Sequence, residues 1–348
     1  MPMQQEGAAV VRGWGRCLLL QCRVAFHGMF VRRFSRLMQG LVLGLLGFLP
    51  PVSHAHDVLG NLNAVGSDTM AELMLRWGER LEQSHPGVRL QLQASGSASA
   101  PAALIAGTTL LGPMSRQMLP RERASFTERY GYPPTAITAG KDALLVVVNR
   151  HNPIESLSLR QLDAIFSDNR QCGGEEAIEQ WQQLGQDEPP GRIHLYGRNR
   201  VSGTHAMFRR IALCGGYFRN KVNVFPGSAA VVSAVGSDPL GIGYAGLNHL
   251  TADVHVVAIG EPGQAVVPSR QTLRNNQYPM ARHLLIYANL PPGGSLPPTE
   301  QAFLDLVLSP SGQEIVEELG FVTLSIPQLN LQRRQLGLPE LGSKDDVR

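Results

Sequence analysis

The chain has 348 residues, 43% of them apolar, with 31 Lys and Arg against 28 Asp and Glu and a formal charge of +3. Six of those Arg and one Glu precede residue 56, which leaves 25 basic and 27 acidic groups beyond it and a formal charge of −2. That balance gives no electrostatic case for a nucleic-acid partner, and an anion would have to be held by local donors.

Residues 1–55 read as a secretory leader. Arg32, Arg33 and Arg36 precede an apolar run at 41–49 that is too short for a membrane span. Ser53-His54-Ala55 puts small residues where a signal peptidase reads, so cleavage is expected after Ala55 and export to the periplasm follows. Arg32-Arg33 followed by Phe34-Ser35 is a weak pointer to twin-arginine export and more often only the basic flank of an ordinary signal, and Met29 is an alternative start. The remaining chain, about 290 residues, fits two domains better than one.

Beyond the leader, short apolar runs alternate with amphipathic stretches, the pattern of an α/β protein with sheets covered by helices. A strand is expected at 61–65. Met70, Leu73, Met74, Trp77 and Leu81 then share one helical face until Pro86-Gly87. A strand at 89–93, a helix at 101–105 and a charged helix at 119–130 follow, and the Val-rich run 143–149 reads as a buried strand. The chain is expected to cross to a second domain near 149–153. An irregular stretch at 167–191 precedes a strand at 193–196 and a helix ending at Leu213. Later come a helix from Ser228 to Val235, strands at 241–244 and 283–288, and helices at 298–308 and 311–319. Residues beyond Pro327 read as a polar wrap or an unstructured end.

Three Gly and hydroxyl turns stand where helices begin: Gly66-Ser67-Asp68-Thr69, Ser95-Gly96-Ser97-Ala98-Ser99 and Ser202-Gly203-Thr204. A helix start leaves unpaired N–H groups and a partial positive charge, and Gly beside Ser or Thr lets an oxyanion approach those donors. Arg198, four residues before Ser202, adds forked donors suited to a tetrahedral oxyanion. Any one such turn is an ordinary helix cap three times in four, by rough reckoning. Their recurrence after expected strands favours an anion trap. Ser228 reads as a cap near the cleft, and Arg116 as a residue that either serves the anion or pairs with a nearby carboxylate. Ser202 and His205 could be taken for a nucleophile and base, but there is no Gly-x-Ser-x-Gly elbow and no third partner.

Cys17 and Cys22 lie in the leader. Export and the even count favour a disulfide between the remaining pair, Cys172 and Cys214, over two separate buried thiols. Neither cysteine has a ligand at zinc spacing, and the His residues are scattered, so no metal and no cofactor are expected.

In sequence, GSDTM at 66–70, GSASAPAALIAGTT at 96–109, MSRQM at 114–118 and YGRNRVSGT at 196–204 resemble the phosphate-binding proteins of bacterial phosphate ABC transporters. These belong to the type II periplasmic binding protein superfamily. PGSAAVVSAVGSDPLGIGYAGL at 226–247 and FLDLVLSPSGQEIVEELGFV at 303–322 are similar to its later part. The resemblance implies two α/β lobes of mixed sheets flanked by helices, with the ligand in the cleft between them. It divides the chain into a first lobe at 56–149, a second at 150–250, a return to the first at 251–326 and a polar tail at 327–348. Carried over residue by residue, Asp68, Thr69, Ser97 and Ser115 would hold inorganic phosphate from one lobe, and Arg198, Ser202, Gly203 and Thr204 from the other. Arg198 would neutralise much of its charge. The implied partner is an ABC permease, and the implied protein is a monomer without enzymatic activity. Another oxyanion, or a phosphate-ester hydrolase using the same cradle, are the alternatives.

Two features depart from the family pattern. Ala98 stands where a second Gly is common, which would restrict backbone approach. Leu110-Leu111 replaces a common Asp, which leaves Asp68 as the carboxylate that could accept the proton distinguishing phosphate from sulfate.

Overall fold

The computed structural model describes residues 58–186 and 190–342; the expected leader, its cleavage point and the last six residues lie outside them. The first strand β1 (Gly60–Val65) leads into α1 (Ala71–Ser84), and β2 (Val88–Gln93) pairs parallel to β1. Next come α2 (Ser99–Ala106), β3 (Leu111–Met114) and α3 (Pro120–Tyr130), and then β4 (Thr135–Asn149), a strand of 15 residues. Its buried stretch is much longer than the expected 143–149.

β5 (Ser156–Leu157), α4 (Leu159–Phe166), β6 (His194–Arg198), α5 (Gly203–Ala212), β7 (Asn223–Phe225), α6 (Ser228–Gly236) and β8 (Gly241–Gly246) follow. Then come β9 (Val254–Ile259), α7 (Arg270–Arg274) and β10 (Ala281–Ala288). The chain closes with α8 (Pro298–Val307), α9 (Pro310–Glu318) and α10 (Ile326–Gln335).

The strands run in the order β2-β1-β3-β10-β4-β8-β6-β7, with β9 and β5 off that path. β4 belongs to both halves of the sheet: Thr135–Ala143 pairs antiparallel with β10, whereas Leu144–Asn149 pairs antiparallel with β8 and β9. The apolar residues gather accordingly into two principal cores. One is built on Leu62, Trp77, Ile137, Ile286 and Phe303. The other is built on Val146, Phe166, Phe208, Tyr244 and Val257. The chain thus passes from one core to the other inside β4, around Ala143, and not in the loop at 149–153.

The other sequence boundaries shift for the same reason. β9 pairs with β4, and Val254, Val257, Leu273, Tyr278 and Met280 pack in the second core, so the packing returns to the first core at β10 rather than at 251. The segment beyond Pro327 is not a polar end over its described length. α10 buries Leu329, and Leu338 beyond it joins the same core, while Arg333 donates to the Pro339 and Leu308 carbonyls. Its sparse apolar residues join the first core, Leu336 and Leu338 beside Leu304 of α8, a placement that periodicity alone does not reveal.

Trp77 holds the first and last parts of the first core together. Its ring packs edge-on to Phe303 and its Nε1 donates to the Gly312 carbonyl at 2.9 Å. In the second core, Cys172 and Cys214 form a disulfide that ties the irregular segment after α4 to the end of α5. Among the described residues no helix is long and apolar enough to cross a membrane, and no cluster of three metal-ligating side chains occurs.

Candidate functional site

In the first core, the turns after β1, β2 and β3 are stitched to one another by main-chain bonds. Ser67 N donates to Pro113 O at 2.8 Å, Gly66 N to Gln93 O at 2.9 Å, and Gly96 N to Gly66 O at 2.8 Å. Gly66 is needed because a Cβ there would stand 2.1 Å from the Pro113 carbonyl oxygen. Gly96 has φ +118°, a region that side chains avoid. Ala98, by contrast, has φ −73° and ψ −15°, an ordinary helical conformation, so the missing second Gly imposes no strain. Leu111 is buried in the first core at the start of β3, whereas Leu110 is half-buried just before it.

The second core presents one turn, between β6 and α5. Ser202 caps α5, its Oγ accepting from Thr204 N at 3.1 Å and His205 N at 3.4 Å. With two amides donating to that oxygen, the hydroxyl hydrogen stays available to an acceptor.

The two sides meet. Thr69 and Thr204 hydroxyls lie 3.3 Å apart, Ala98 N donates to Val201 O at 3.1 Å, and Arg198 Nη2 donates to Asp68 Oδ2 at 2.5 Å. Ser97 and Ser115 hydroxyls are 3.2 Å apart, with Ser115 N donating to Ser97 Oγ at 3.1 Å. A Cβ on Gly203 would stand 2.3 Å from Ser97 Oγ and 2.4 Å from Ser115 Oγ, so the first residue of α5 lies directly against both serines. All eight sequence-predicted residues therefore fall in one cluster between the cores, buried except for Asp68, whose side chain is 20% exposed. Thr69, Ser97, Ser115, Arg198, Ser202 and Thr204 are each at most 2% exposed.

Several members escaped the sequence reading. Arg282 on β10 donates through Nη1 to Thr204 Oγ1 at 3.0 Å, and through Nε and Nη2 to Asp142 Oδ2 at 2.8 and 2.6 Å. The two residues are register partners across β10 and β4. Ser228 is not a cap: Gly227 is the residue that precedes α6, and the Ser228 hydroxyl accepts from Arg198 Nη1 at 2.9 Å. The Pro226 carbonyl takes Arg198 Nη2 at 2.7 Å. Each member of the Asp142–Arg282 pair is a charge just before an apolar run, but nothing local links two residues 140 positions apart.

The electrostatics are nearly balanced. Arg198 is paired with Asp68, and Arg282 with Asp142, so the formal charge of the four groups is zero. Arg198 thus brings no spare charge. An anion placed here would be attracted by the amide and hydroxyl dipoles rather than by net charge. Three buried atoms here have no hydrogen-bond partner among the described residues: Ser67 Oγ, Asp68 Oδ1 and Arg198 Nε. Two can donate and one, the carboxylate oxygen, can only accept.

His205 does not serve Ser202 as a base. Its Nδ1 lies 2.9 Å from the Arg198 carbonyl, to which it donates, and the ring stacks on Phe218 with centroids 4.4 Å apart. Burial pushes its pKa down to about 4, so it is neutral near pH 7. Arg116 is likewise occupied, forming a fork with Glu122 at 2.8 Å on each arm.

A two-core α/β chain whose β-strand turns enclose a buried polar cluster has the architecture of periplasmic binding proteins. Residues 51–311 match the family described as a PBP superfamily domain, and the chain belongs to it. The phosphate-binding protein PstS of Pseudomonas aeruginosa is 44% identical over 294 residues, covering 83% of this chain and 91% of that protein. PstS of Staphylococcus aureus is 25% identical over 254 residues, covering 72% of this chain and 74% of that one. Among solved structures, a phosphate ABC transporter substrate-binding protein of Clostridium perfringens with bound phosphate superposes with a TM-score of 0.65 at 21% identity, covering 76% of this chain and all of that one. An ABC-type phosphate transport receptor of Vibrio cholerae gives 0.62 at 20% identity, with the same coverages. These two likenesses establish the fold.

Proposed function

We propose that the protein captures inorganic phosphate outside the cytoplasm and delivers it to an ABC permease, without enzymatic turnover. The observation that carries this reading is the convergence of Thr69, Ser97 and Ser115 from one core with Gly203 and Thr204 from the other around buried, unpartnered donor and acceptor atoms. The two cores act as lobes, with the crossing in β4 and the return in β10, and they close on the ligand as a hinge. Asp68, Thr69, Ser97, Ser115, Arg198, Ser202, Gly203 and Thr204 hold the anion. Amide and hydroxyl donors receive its oxygens, and Arg198 is oriented by Asp68, Ser228 and the Pro226 carbonyl.

Asp68 Oδ1 is the selectivity element. Monohydrogen phosphate carries a proton that this oxygen can accept, whereas sulfate brings only oxygens that it repels. The 44% identity to the Pseudomonas PstS supports phosphate as the ligand and a permease as the partner. The expected leader and the Cys172–Cys214 bridge support an oxidising, periplasmic location. The protein works as a monomer in this reading.

Calorimetry with phosphate, sulfate and molybdate tests it. Phosphate should bind at micromolar concentration or below and sulfate should not; Asp68→Asn should narrow that gap by about tenfold or more, since the amide can donate to sulfate. Binding of another oxyanion in place of phosphate would overturn the assignment. Turnover of an aryl phosphate that disappears in Ser202→Ala would favour the hydrolase.

A further inference from the structure

Beside the buried cluster, two cavities run into one another between the lobes. The smaller, about 190 Å³, is lined by Lys141, Arg282, Arg116 and Arg210. The larger, about 720 Å³, shares Arg116, Gln117, Met207 and Arg210 with it and continues past Arg121, Arg200 and Arg209. One wall is the segment at 116–122 of the first lobe and the other is the segment at 200–218 of the second.

The charge along this path is one-sided. Glu122 is the carboxylate among the lining residues, and it is already matched by Arg116. Arg282 is matched by Asp142. Arg121, Arg200 and Arg210 have no ion-pair partner among the described residues. Lys141 is 6% exposed, and its Nζ is held by Asn276 Oδ1 at 3.0 Å and two carbonyls of α7, with no carboxylate. Five cations without a carboxylate partner thus line one groove, Arg209 among them with its guanidinium on the Gly215 and Gly216 carbonyls, in a chain that, without its leader, carries a small negative charge. His205, on the same wall, registers that field: beyond burial, Arg209, Arg200 and Arg198 each disfavour its protonation.

We propose that this groove is a second anion site that takes a chain of phosphoryl groups, with a terminal group beside Lys141 and the others along Arg210, Arg200 and Arg121. Guanidinium forks suit phosphoryl oxygens, and cations strung along a groove suit a linear polyanion better than a single compact ion. The combined space falls in the range of small-molecule sites. Both lobes supply walls, so an occupant favours the closed arrangement and tightens binding in the inner cradle, with the reciprocal effect required by linkage. The inference therefore rests on the phosphate reading of that cradle. Free condensed phosphate and a nucleoside triphosphate share the recognised chemistry.

The test is calorimetric titration of the phosphate-saturated protein with tripolyphosphate and, separately, ATP, at low and at physiological ionic strength. One equivalent should bind, more weakly as salt rises. Arg121→Glu/Arg210→Glu, both exposed positions, should weaken that binding by roughly tenfold or more while phosphate affinity stays within about twofold. Tighter binding of tripolyphosphate assigns the site to free condensed phosphate, and tighter binding of ATP assigns it to nucleotides. The proposal is overturned if neither binds at millimolar concentration and low salt, or if the double variant binds like the parent. Equal binding of an oligoglutamate of matched charge, or competition of tripolyphosphate with phosphate for one site, overturns it too. Loss of phosphate binding itself would strike the cradle reading instead, and the tripolyphosphate titration of the unloaded protein reads the groove in either case.

Discussion

The cradle and the groove beside it treat positive charge in opposite ways. In the cradle each guanidinium has its carboxylate, Arg198 with Asp68 and Arg282 with Asp142, and both arginines are at most 5% exposed. In the groove Arg121, Arg200 and Arg210 are exposed and have no such partner among the described residues. For the arginines burial explains the difference, while Lys141, buried in the groove without a carboxylate, is held by the Asn276 side chain and two carbonyls instead. An unpaired cation costs several kcal/mol inside a protein and almost nothing at a wet surface, so the buried site must select its ligand by directed dipoles, whereas the open one can attract by charge alone. In the proposed reading, discrimination and attraction fall in adjoining regions.

The contrast is most exposed to test at Asp142. Asp142→Ala leaves the Arg282 guanidinium buried without its counter-charge, and urea unfolding should show a loss of about 3 to 5 kcal/mol. Arg210→Ala in the groove should stay within about 0.5 kcal/mol of the parent. Equal losses would remove the distinction between the two regions.

Arg198→Ala should weaken phosphate binding by about 3 kcal/mol, near a hundredfold in Kd, because it both deletes donors and strands Asp68. Unchanged affinity would place Arg198 outside the site. A smaller and pH-dependent effect attaches to His205. Its folded pKa of about 4 lies below the unfolded value of 6.5, so the unfolded chain takes up the proton first and stability falls as pH drops from 6.5 towards 4. The full swing is about 3 kcal/mol at most, less whatever the exposed part of the ring recovers from solvent. Thermal melts across that window should show a shallower acid loss for His205→Asn, whose amide can still donate to the Arg198 carbonyl.

The turns of the cradle were legible because each is local: Gly beside a hydroxyl residue, after an apolar strand and before a helical run, names its own conformation. Arg198 was legible through its four-residue distance from the Ser202 cap. The Asp142–Arg282 pair was not, because it exists only in the β4–β10 register, which no short-range pattern announces. Ser228 was misread for a related reason. Its position at the start of α6 looked like a cap, but the guanidinium that claims its hydroxyl comes from 30 residues upstream. The length of β4 was likewise hidden, since Gly140, Lys141 and Asp142 break its apolar run although all three are buried. Long-range pairing tolerates what local propensity forbids.

β4 carries a mechanical corollary. Ala143 and Leu144 are successive residues of one extended segment, yet the first pairs with β10 and the second with β8. The jaws therefore share a filament that can twist or bend but cannot slide. Under the hinge proposed above, each opening retraces the same arc, and a loaded and an empty molecule offer a docking partner the same two faces at different spacing.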